Sequence, residues 1–68
     1  MDQKLYYSFY EFVENDDIDY TGIKEIANRV GHTIVNENEF QNLKTLANNF
    51  LVTKKVEDFE KFEKEIKK

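Results

Sequence analysis

The spacing of apolar side chains constrains this chain more than any other feature. Ile23, Ile26, Ala27 and Val30 fall at i, i+3, i+4 and i+7, the period of one buried helix face. Gly31 follows at once, where a helix end needs a residue that tolerates positive φ. The same period recurs in Leu5, Tyr6, Phe9, Phe12 and Val13, in Phe40, Leu43, Leu46, Ala47, Phe50 and Leu51, and in Val56, Phe59, Phe62 and Ile66. Four such stripes in 68 residues predict an all-α protein, a compact bundle of four short helices forming a single domain over residues 1–68. Phe9, Phe12, Ile26, Val30, Leu43, Phe50, Phe59 and Phe62 are its expected core.

Polar residues between the stripes predict where the helices begin and end. Ser8 and Glu11 fit a capping box, with Asp2 as the alternative start of the first helix, and Asn15-Asp16-Asp17 ends it. Thr21 is the expected cap of the second helix. Asn36 or Asn38 caps the third, with Glu37 and Glu39 near the positive end of its dipole. The third helix is expected to run about three turns from Phe40 and to break at Val52-Thr53, with Thr53 capping the fourth. Glu57–Lys61, Glu60–Lys64 and Glu63–Lys67 are i,i+4 pairs in the favourable order, each worth roughly 0.2–0.5 kcal/mol, so Phe burial must anchor the last helix.

Composition removes whole classes of function. With no Cys there is no disulfide framework, thiolate zinc site or Cys nucleophile, and one His cannot supply a site that needs two. Two Gly and no Pro leave no glycine-rich phosphate loop. No stretch approaches the ~18 apolar residues of a membrane span. The opening Met1-Asp2-Gln3-Lys4 lacks a signal-peptide pattern, so the expected location is the cytoplasm, with no membrane partner. The abundance of Asn, Lys, Glu, Ile, Phe and Tyr matches the codon bias of an AT-rich bacterial or phage genome.

Charge is unevenly placed. Residues 1–23 hold Lys4 against six carboxylates, and the rest of the chain holds nine basic groups against eight acidic ones, so the net charge of -4 sits in the first third. An acidic end of this kind repels phosphates and steers a basic partner, or serves only to keep the surface solvated. Asp17, Asp19 and Thr21 with Gly22 and Glu25 follow the first part of an EF-hand loop. Asn28 stands where the bidentate carboxylate belongs and Lys24 where a branched apolar residue belongs, so no metal or other cofactor is expected. Ile26-Ala27 and Gly31 match the first half of a helix-turn-helix. Glu37 and Glu39 oppose phosphate in its second half, and Arg29 is the only arginine. His32 has Thr33 beside it but no spacing that builds a catalytic pocket, and Asp16-Asp17 lies in a polar stretch. Five of the eight residues from Leu5 to Phe12 are aromatic, more than one buried face can hold. Tyr7 and Tyr10 therefore either face a partner or pack on the last helix.

Ser8-Phe9-Tyr10-Glu11-Phe12, the acidic turn at Asp16–Asp19, Ile26-Ala27, Phe40 with Leu43, and Phe59 resemble the YozE-type SAM-like domains, small proteins of low-GC Gram-positive bacteria and their phages. The resemblance spans most of residues 8–66. It implies a compact four-helix bundle like the sterile alpha motif, with no known catalytic activity and no functional residues to carry over. The expected function is a non-enzymatic protein–protein interaction domain, of phage or mobile-element origin, acting through Tyr7, Tyr10, Glu14, Asp16, Asp17 and Asp19. The alternatives are a small helix-turn-helix-like DNA-binding regulator using residues 23–40, and an acidic mimic of nucleic acid that inhibits a host protein. The expected partner is a protein rather than nucleic acid, and the expected state a monomer or weak homodimer.

Overall fold

A computed structural model describes the whole chain, residues 1–68, as four α-helices and no strands: α1 Gln3–Asn15, α2 Tyr20–Asn28, α3 Glu37–Thr53 and α4 Val56–Ile66. The all-α bundle expected from the apolar period is the observed fold. None of its helices is long and apolar enough to cross a membrane.

Asp and Asn side chains start three of the helices. Asp2 accepts the Leu5 N–H at 3.1 Å, Asp19 the Gly22 N–H at 2.9 Å and Asn36 the Glu39 N–H at 2.8 Å. The first of these corrects the capping box: Ser8 lies in the middle of α1, because a good cap six residues earlier lets the helix begin there. The second corrects Thr21, which sits inside the first turn of α2. Gly31 has φ +77°, and the His32 N–H reaches the Ala27 carbonyl while the Gly31 N–H reaches that of Asn28. This Schellman turn closes α2 as the position of Gly31 predicts.

The third helix is longer than its apolar stripe suggests. It continues through Val52 and Thr53 for 17 residues and stops at Lys54, which takes the left-handed conformation at φ 57°. Thr53 does not cap α4 in the ordinary way. Its hydroxyl accepts the Lys55 N–H and bonds the Asp58 carboxylate, while the N-cap residue Lys55 makes no side-chain cap. Lys54 and Lys55 alone link α3 to α4, so the two helices form a tight αα-hairpin.

α1 lies across this hairpin and anchors it through Phe9. The Phe9 ring meets Phe62 at 4.5 Å, Phe50 at 5.2 Å and Phe59 at 5.5 Å between centroids. Tyr6 adds edge-on contacts to Phe59 and Phe50. α2 supplies Ile23, Ile26 and Ala27 to the same core, and Tyr20 meets Phe40 of α3 edge-on at 5.4 Å. Seven of the eight expected core residues are buried; Val30 is only half-buried, at the frayed end of α2. No polar side chain is buried, so burial of apolar surface dominates the stability of the fold.

Candidate interaction surface

The outward side of α1 carries three of the six residues expected to meet a partner. Tyr7 is the most open aromatic, 67% exposed, and Tyr10 is 38% exposed. Tyr10 leans its edge on Phe50 of α3 rather than on α4, and Lys54 Nζ sits 5.4 Å from its ring centre. The same ammonium pairs with the Glu14 carboxylate. Tyr7, Tyr10 and Glu14 thus form an i, i+3, i+7 stripe in which Tyr7 makes only an edge-on contact with Tyr6 while Tyr10 and Glu14 are engaged with Lys54.

Asp16, Asp17 and Asp19 lie elsewhere, on the edge between α1 and α2. There the helices approach closely enough that a Cβ on Gly22 would lie 2.1 Å from Phe12 Cε1. A shallow cleft of 150 Å³ runs above this contact, with Phe12, Gly22 and Ile26 beneath and the exposed Glu11, Asp16 and Glu25 around it. An adjoining hollow brings in Asp17 and Asp19. None of these five carboxylates has a cationic partner within 4.0 Å, since the ion pairs of the protein fall on other residues. Arg29 stands at one end of the cleft and donates to the Ser8 hydroxyl at 3.4 Å.

The six expected partner-binding residues therefore split in two: an aromatic stripe on the α3 side of α1 and an unpaired acidic edge on its α2 side. The residues that complete the acidic edge, Glu11 and Glu25, were missing from the sequence expectation. Their helical positions carry the signal, because Glu11 is an outward position of α1 and Glu25 an outward position of α2. Asp19 has a structural task as well, since its side chain caps α2.

Two other polar groupings hold the frame. His32 pairs with Glu39 in the first turn of α3, which fastens the connector between α2 and α3. At the termini the Asp2 N–H donates to Glu63 at 3.0 Å, and Lys67 lies 3.3 Å from Glu63 and 3.5 Å from Asp2. The Leu5 N–H that Asp2 caps, helped by Lys67 against the opposing effect of burial, holds the Asp2 carboxyl below its usual range. Burial disfavours the Lys67 charge, but bonding and attraction from Glu63 and then Asp2 outweigh it and raise the Lys67 pKa. No three His, Asp or Glu side chains converge to hold a metal ion. No family model, curated protein or solved structure matches this chain.

Proposed function

We propose that this chain is a non-enzymatic protein–protein interaction domain of phage or mobile-element origin, whose acidic α1–α2 edge receives a basic segment of a partner protein. The observation that carries the reading is the set of five carboxylates without cationic partners around a cleft with an apolar floor. Crowding like charges in a folded chain costs stability through self-repulsion, and a basic partner removes that cost on binding. Tyr7, open on the neighbouring face of α1, supplies an aromatic anchor at the margin. The likeness to YozE-type SAM-like domains, for which no catalytic activity is known, supports the same reading.

Affinity capture with the wild-type chain and with Asp16→Lys, Asp17→Lys is the test. Charge reversal should abolish capture of the partner while leaving the helical circular dichroism intact, and Tyr7→Ala should weaken it. Capture that survives charge reversal overturns the assignment of the acidic edge. The same unpaired carboxylates also favour a second reading, in which the edge imitates the phosphates of nucleic acid and blocks a DNA-binding surface. Competition between DNA and this protein for the captured partner separates the two readings.

A further inference from the structure

A second charged surface lies on a different pair of helices and has the opposite sign. Lys61 and Lys64 of α4 and Lys68, two residues beyond its end, border a groove together with Glu65, against Asn42 and Leu46 of α3. Lys67 belongs elsewhere, committed to Asp2 and Glu63. Within the groove Lys64 has no carboxylate within 4.0 Å. Lys61 has only Asp58 at 3.7 Å and Lys68 only Glu65 at 3.1 Å. Both of these lysines are about two-thirds exposed, where such pairs contribute little and exchange readily for other carboxylates. Leu46, half-buried against the core, is the one apolar side chain of the lining.

We infer that this α3–α4 groove binds an acidic amphipathic segment of a partner protein, one that sets carboxylates against Lys61, Lys64 and Lys68 and an apolar side chain over Leu46. Lys61 and Lys64 stand about one turn apart on α4 and Lys68 follows its end, a spread that suits carboxylates on successive turns of a partner helix. Aliphatic lysine stems beside Leu46 give such a segment a surface to cover as well as charges to meet. Nucleic acid fits less well. The lining has neither an aromatic ring nor an arginine on which a base can stack, and three lysines in a protein of net charge -4 offer few phosphate contacts. The groove is separate from the acidic edge, so the two surfaces stand or fall independently.

The probe is a short fluorescein-labelled peptide with Glu at i, i+4 and i+7 beside a central Leu, followed by fluorescence anisotropy on the full chain. At low salt the peptide should bind, and binding should weaken as salt rises. The triple variant Lys61→Gln, Lys64→Gln, Lys68→Gln should lose about tenfold or more in affinity with its melting temperature nearly unchanged. Replacing the central Leu of the peptide by Gln should weaken binding to the wild type too. Asp16→Asn, Asp17→Asn should leave peptide binding intact, which separates this surface from the acidic edge. No uptake at low salt, or equal uptake by the triple variant, overturns the inference. Two other results also overturn it: a single-stranded oligonucleotide that displaces the peptide at lower concentration than unlabelled peptide does, or self-association in sedimentation that the triple variant abolishes.

Discussion

Gly22 shows how much one residue decides here. The sequence puts it in the first turn of the second helix, where the structure also has it, but with the Phe12 ring where its Cβ would be. Phe12 is buried beside Phe9, so the ring cannot swing clear without disturbing the core. Gly22→Ala gains up to ~1 kcal/mol of helix propensity and meets an overpacking cost of about 1–3 kcal/mol. The expected outcome in urea denaturation is a net loss of ~1 kcal/mol or more; a variant as stable as the wild type would show that the ring moves freely. Gly31 is the opposite case, with open space around it but φ +77°. That role was legible, because only the end of a strong stripe placed a glycine there. Asp2 supports a separate prediction. Its carboxyl is held below the ordinary 3.8, so the unfolded chain takes up this proton first as pH falls. Its contribution is therefore complete above that ordinary value and disappears as pH drops through the lower folded value. Asp2→Asn keeps a capping oxygen but cannot titrate, so its melting temperature should fall less steeply than the wild type's below pH 3.8. Parallel curves for the two proteins would remove Asp2 from the account.

At the scale of the helix, apolar period fixed the existence and facing of all four elements, while their ends depended on chemistry the period does not contain. α3 outruns its stripe because no glycine or proline stops it. It ends only where Lys54 turns left-handed, a conformation an L-residue with a long side chain adopts at a cost of about 1–2 kcal/mol and one that no sequence pattern announces. Glu14 and the Tyr10 ring then hold the Lys54 ammonium, a contact between α1 and the hairpin that was invisible before the fold was known. α4 teaches the same lesson about charge. Of its three favourable i,i+4 pairs only Glu63–Lys67 forms, while Lys61 turns to Asp58 instead. The helix therefore depends on Phe59 and Phe62, both fully buried. Phe59→Ala should cost ~3–5 kcal/mol, enough to unfold much of a domain this small, whereas Glu60→Gln should change stability by less than ~0.5 kcal/mol. Thermal melts of the two variants check the contrast. A Glu60→Gln variant that melts as early as Phe59→Ala would mean that charge, not burial, secures α4.

For the molecule as a whole, sixty-eight residues concentrate their structural chemistry inside and leave charge to the outside in two separate fields. The acidic field was legible in the first third of the sequence. Its division from the tyrosine stripe was not, because α1 presents Tyr10 and Glu14 to one neighbour and Glu11 to another. The basic groove was illegible for a similar reason: lysines read as helix-pair partners become a field only once α3 lies beside them. If the acidic edge exists to be covered, it should be a site where the free protein is less stable than it needs to be. The side chains of Asp16 and Asp17 make no hydrogen bond or ion pair that the fold depends on, unlike that of Asp19, which caps α2; the Asp16 backbone N–H that closes α1 on the Phe12 carbonyl is kept by any substitution but proline. Neutralising both as Asn removes repulsion among five close carboxylates and removes no cap. The free protein's melting temperature should therefore rise, by no more than about 2–4 °C for surface changes in a domain of this size. That rise should shrink as added salt screens the same repulsion in the wild type. Partner capture by the same variant should weaken, which is the trade expected where a surface is kept for binding rather than for folding. A variant that melts at the wild-type temperature at low salt would mean that solvent already screens these charges fully, and the acidic edge would lose the energetic reason offered here for a basic partner.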